Sequence, residues 1–97
     1  MTAPFTARAD VATASPERYA KQLAAHLGRR SEIRQEPDGI RIVLDAGDCL
    51  LRSREETLEL LATAPGTEEL ERVQSVVGSH LERFGARNEL EVVWRRG

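Results

Sequence analysis

Between Ile33 and Ala64 the chain runs through four short segments whose connections are too short to hold a helix. Ile33 to Glu36 is extended, and Glu36-Pro37-Asp38-Gly39 is a turn in which proline presets its torsion and glycine accepts positive φ. Gly39 to Asp45 alternates, with Ile40, Ile42 and Leu44 on one side, and Ala46-Gly47-Asp48 turns the chain again. Cys49 to Arg54 alternates next, and Arg54-Glu55-Glu56 leads into Leu58, Leu60 and Ala62. The segment from Ser53 also fits a helix, since Ser53 and Glu56 match a capping box. Pro65-Gly66 stops that run after eight residues, which is short for a helix, so Thr57 to Thr63 is read as a strand paired with Cys49 to Arg54. Strands joined this tightly form an antiparallel meander, because parallel neighbours need a long crossover.

The flanks supply the second layer. Phe5 to Ala12 alternates and reads as a half-buried strand. Ser15-Pro16-Glu17 opens a helix through Leu27, with an N-cap serine, proline in the first turn and an acid near the positive helix end. Thr67 is placed as the cap of a second helix, along which Leu70, Val73, Val77, Leu81 and Phe84 recur at helical spacing before Gly85. Glu89 to Arg96 reads as a closing strand, with Leu90, Val92 and Trp94 on one side. The expected architecture is therefore an α+β two-layer sandwich in one domain, residues 1–97, with two helices on one face of a mainly antiparallel sheet. Its order is β-α-β-β-β-β-α-β, like a ferredoxin-type split βαβ unit expanded by one hairpin.

Composition removes several function classes. A net charge of −2 argues against a dedicated nucleic-acid binder, and aromatic residues at 4% leave little for stacking bases. No apolar stretch approaches a membrane span, and Met1 to Asp10 lacks the apolar run of a secretory signal. The lone cysteine, Cys49, excludes an intrachain disulfide. Thirteen arginines against one lysine, Lys21, point to a GC-rich coding genome, hence to a bacterial cytoplasmic protein.

The run from Val76 to Phe84, followed by Arg87 to Arg96, resembles a bacterial family catalogued as domain of unknown function 2218. The resemblance is carried by Val76, Val77, His80, Leu81, Arg83, Phe84, Arg87, Leu90, Val92 and Trp94, and extends over nearly the whole chain. It departs at Ala86-Arg87-Asn88, where the family commonly reads Phe-Arg-Glu. It implies a small cytoplasmic bacterial α+β domain with an association to iron–siderophore utilisation, and so a siderophore-utilisation protein as a partner.

Four residues are candidates for ligand binding: His26 on the buried side of the first helix, His80 on the second, and Arg83 and Arg87 beside Phe84. The histidines could meet if both helices cover one sheet face, with Cys49 as a third metal ligand or simply as a hydrogen-bonded pair at a helix seam. Two histidines 54 positions apart form no metal motif, so no metal and no cofactor are expected. No phosphate loop, nucleophile elbow or zinc-helix motif is present, and no catalytic residue is assigned. Val43, Leu50, Leu61 and Val93 are expected on the sheet face away from the helices, rimmed by Arg8, Arg41 and Arg52, as a surface for self-association. The functional expectation is a non-enzymatic accessory or interaction domain that forms a homodimer through that face. The alternative is a binding module for a small anionic or iron-chelate ligand near His80, Arg83 and Arg87.

Overall fold

A computed structural model describes residues 4–86 and 90–96. The elements follow the order β1 (Phe5–Ala12), α1 (Pro16–Leu27), β2 (Glu32–Glu36), β3 (Gly39–Val43), β4 (Asp48–Arg54), β5 (Thr57–Ala64), α2 (Thr67–Phe84) and β6 (Arg95–Arg96). The strands form one sheet in the order β2-β3-β4-β5-β1-β6, and every neighbouring pair is antiparallel. β1 is inserted between β5 and β6, so α2 links two strands that are not neighbours. The segment that could have been helix is strand. The Arg54↔Thr57 pair closes a two-residue loop, and Glu56, at φ 51, supplies the left-handed residue the loop needs.

The inner face carries the core. Ile42, Cys49 and Ala62 lie in one cross-strand row, and Leu51, Leu60 and Ala9 in the next. α1 sets Tyr19, Ala20, Leu23 and Leu27 in this core, and α2 sets Leu70, Val73, Val77 and Leu81. Where α2 crosses β5 and β1 the inward residues include Ala7, Ala9, Ala62 and Ala64, small enough to let the helix approach closely. Gly39 permits an equally close approach: at φ +157 its position excludes other residues, and an added Cβ would lie 2.1 Å from the Leu51 carbonyl oxygen.

Three local expectations need correction. Gly66, not Thr67, caps α2; its carbonyl accepts the first helical bond from Leu70 N–H at 2.9 Å, so Thr67 is already inside the helix. The closing strand is shorter than the alternation implied: among the described residues only Arg95 and Arg96 pair with β1, and Glu89 lies outside them. Its alternating residues pack along α2 instead. Leu90 fills the space beside Gly85, Val92 N–H donates to Glu82 Oε2 at 3.0 Å, and the Trp94 indole covers Gly78. The third correction concerns His26, which is exposed rather than buried, because Leu23 and Leu27 take the core-facing positions of α1. Among the described residues no helix is long and apolar enough to cross a membrane.

Candidate functional site

Two places concentrate polar chemistry: the sheet face without helices, and the seam between α1 and α2.

Strand parity builds the first. Arg34, Arg41, Leu50, Leu61, Arg8 and Arg95 form one continuous row across the sheet, and Arg52, Glu59 and Asp10 form part of the next. The row therefore has an apolar centre between arginines. That centre is drier than the sequence suggested: Leu50 is 7% exposed and Val43 and Leu61 are half-buried, while Val93, exposed by 64%, lies before β6 and outside the paired strands, so, contrary to expectation, it is not part of this face. The correction to the expected apolar patch has a direct cause. Leu50 is flanked on its face by Arg41 and Arg52, and long arginine stems lie over apolar surface while their heads reach water.

Glu59 is the unexpected residue. Its neighbours Leu58 and Leu60 point into the core, so Glu59 faces outward, yet it is only 1% exposed. Three guanidinium groups enclose it. Arg52, opposite on β4, bonds Oε1; Arg8 Nη2 from β1 lies 2.8 Å from Oε2; Arg54 Nε lies 3.6 Å from the same oxygen. Asp10 binds Arg8 and Arg95 at 3.3 and 3.2 Å. A buried carboxylate is costly unless ionic and hydrogen-bond partners surround it, and here the partners are themselves its cover. The arginine heads remain accessible, with Arg52, Arg8 and Arg54 exposed by 26%, 50% and 58%. They line an open depression of about 970 Å³, whose rim includes Asp38 and Glu55. Further along the face, Arg41 bonds Glu36 at 2.8 Å and Asp48 at 2.8 Å. The bond from Arg41 holds the Glu36 carboxyl below its ordinary range and raises Arg41 above its own.

Sequence reasoning had Arg8 and Arg52 as a rim for Glu59 or Glu91 of a second copy, whereas they hold Glu59 of their own chain. The signal was there: a two-residue loop at Glu55-Glu56 pairs Arg54 with Thr57, and counting back places Arg52 opposite Glu59.

At the helix seam, His26 and His80 do meet, with ring centroids 4.9 Å apart, and Phe84 stands edge-on to His26 at 5.2 Å. Arg83 is exposed on α2, and Arg87 lies outside the described residues. Cys49 does not join the histidines: among the described residues no group of three or more His, Cys, Asp or Glu could hold a metal ion. Burial pushes the Cys49 thiol up to about 12, with the Asp48 charge adding to it, so it stays protonated and inert at neutral pH.

Fold and sites together define a small two-layer α+β module with one face covered by helices and the other held together by ion pairs. The chain belongs to the family described as an uncharacterized protein conserved in bacteria, DUF2218, whose model matches residues 8–95. It is similar to the NMR structure of PA4090 from Pseudomonas aeruginosa, at 27% identity and a TM-score of 0.77, over 94% of this chain and 95% of that one. No curated protein matches it.

Proposed function

We propose that this protein is a non-enzymatic bacterial binding module whose open sheet face receives a small anionic group, a carboxylate or a phosphate, over Arg8, Arg52 and Arg54. The observation that carries this reading is the almost complete burial of Glu59 on a face with no helix over it. A carboxylate so placed fixes three guanidinium groups that would otherwise sample many rotamers, and a pre-ordered donor array loses less entropy when a ligand arrives. The guanidinium fork suits a planar carboxylate or a phosphate oxygen pair. Asp38 and Glu55 on the rim repel a long polyanion, so the preferred ligand is compact. In this reading the anion site lies on the sheet rather than around His80 and Arg83. A ferric chelate with free carboxylates is one ligand of this class, and the family resemblance is what brings a siderophore into view. The module acts in the bacterial cytoplasm in this reading.

Titration of the 15N-labelled protein with inorganic phosphate and with citrate tests it. Saturable shifts are expected at the Arg8, Arg52 and Arg54 side-chain Nε–H signals and weaken with added salt. Arg8→Ala should reduce affinity about tenfold, in line with the loss of one charge-assisted hydrogen bond. Unmoved arginine signals at millimolar ligand would overturn the proposal. Self-association through the same face is a second reading, favoured by Val43 and Leu61, which are only half-buried there. Sedimentation at high protein concentration, with Leu61→Lys as the comparison, separates it from ligand binding.

A further inference from the structure

The seam between the helices carries a separate chemistry. His26 sits in the last turn of α1 and His80 one turn before the end of α2. The two rings come from different elements, yet their centroids lie 4.9 Å apart with the planes tilted by 44°. Both rings are held. His80 Nδ1 lies 2.6 Å from the Val76 carbonyl oxygen. A carbonyl can only accept, so Nδ1 carries the proton and donates it. The neutral ring is then the tautomer whose Nε2 holds a bare lone pair. Metal-binding histidines are oriented in the same way, by giving the other ring proton to a backbone carbonyl or carboxylate. His26 is fixed differently: Phe84, four residues beyond His80 on the same helix face, stands at 80° to its ring. His26 is exposed and His80 half-buried, so the pair opens to solvent.

We propose that His26 and His80 together form a two-imidazole site for an exchangeable divalent late-transition-metal ion, with Cu²⁺ held most tightly. Two ring nitrogens that share one ion at about 2.0–2.1 Å each lie no more than about 4 Å apart. Centroids 4.9 Å apart permit that separation. Imidazole nitrogen without carboxylate or thiolate selects Cu²⁺ and Ni²⁺ over Mg²⁺ and Ca²⁺, which take oxygen ligands. No third His, Cys, Asp or Glu converges among the described residues, so the remaining positions go to water or to a donor from another molecule. The set therefore falls short of the three or four protein ligands of a resident zinc, and this inference departs from the sequence expectation of no metal. It is independent of the anion site, which lies on the opposite face of the sheet.

The test uses the full untagged chain. CuSO₄ is added in substoichiometric steps to labelled protein, and NiCl₂ binding is followed by calorimetry. One ion per chain is expected, with paramagnetic broadening centred on both histidine rings and affinity in the order Cu²⁺, Ni²⁺, Zn²⁺. His26→Gln, at an exposed position that leaves the core untouched, should weaken Ni²⁺ binding at least tenfold and abolish any rise in Tm that Ni²⁺ gives the parent chain. His80→Gln should do the same, and its far-ultraviolet spectrum shows whether α2 is intact. Broadening centred on one ring only, unchanged Ni²⁺ affinity in His26→Gln, or no binding at millimolar metal would each overturn the proposal.

Discussion

Replacing Glu59 with Gln is the sharpest probe of the open face. Glutamine keeps the shape and one acceptor oxygen but removes the charge that Arg8, Arg52 and Arg54 share. Breaking a fully buried ion pair by removing one partner costs about 3–5 kcal/mol. The arginines are between 26% and 58% exposed and can return part of their charge to water, which discounts that figure. The retained oxygen still serves Arg52. A loss of about 2 kcal/mol is therefore expected, equivalent to a fall in Tm of about 10 °C for a domain of this size. Urea unfolding measures it directly. The arginine variants should follow burial: Arg52→Ala costs about 1–2 kcal/mol, Arg8→Ala less, and Arg54→Ala under about 0.5 kcal/mol. A Glu59→Gln protein within about 0.5 kcal/mol of the parent would refute the reasoning, because that is the range of an ordinary surface change. Arg54→Ala as costly as Arg52→Ala would refute it too.

Two further outcomes are expected. Gly39→Ala should cost more than about 2 kcal/mol in urea unfolding, since it combines an unfavourable φ with a Cβ 2.1 Å from the Leu51 carbonyl oxygen; a near-neutral effect would mean that the β3–β4 approach is looser than described. Glu36, held low by Arg41, contributes stability above its ordinary range that is lost as pH falls through its lowered folded value; a side-chain NMR titration should show that low midpoint rising again in Arg41→Gln.

The sheet was legible because its turns were. Pro37-Asp38-Gly39 marks one hairpin by its chemistry, Pro65-Gly66 holds the segment after Glu55-Glu56 to strand length, and alternation then assigns nearly every core residue to its face. The length of β6 was not legible, because it depends on contacts distant in sequence, and the N-cap of α2 lies one residue before the threonine whose side chain suggested it. Trp94 takes its place from Gly78, sixteen residues earlier, and Val92 from the Glu82 carboxylate. Alternation in Leu90, Val92 and Trp94 is real, but it reports burial against a helix and not pairing in a ladder. Convergence of His26 and His80 followed from the placement of both helices on one face; the tautomer set by Val76 required the backbone itself.

A two-layer fold always leaves one sheet face without a partner layer, and chains differ in how they treat it. A face that waits for a large apolar partner keeps its aliphatic residues bare. Here Leu50 is flanked by Arg41 and Arg52, Glu59 is enclosed by Arg8, Arg52 and Arg54, and Arg41 is shared between Glu36 and Asp48. Such a lattice supplies cross-strand stabilisation without a second layer, and it keeps the face soluble. It also orders charged donors at positions set by strand register, not by flexible loops. At the centre of this face three arginines converge on one carboxylate, and their outer edges stay open to solvent. Those ordered donors, held by one shared carboxylate and still accessible, are the reason to look for a ligand on the sheet before looking for one anywhere else on this molecule.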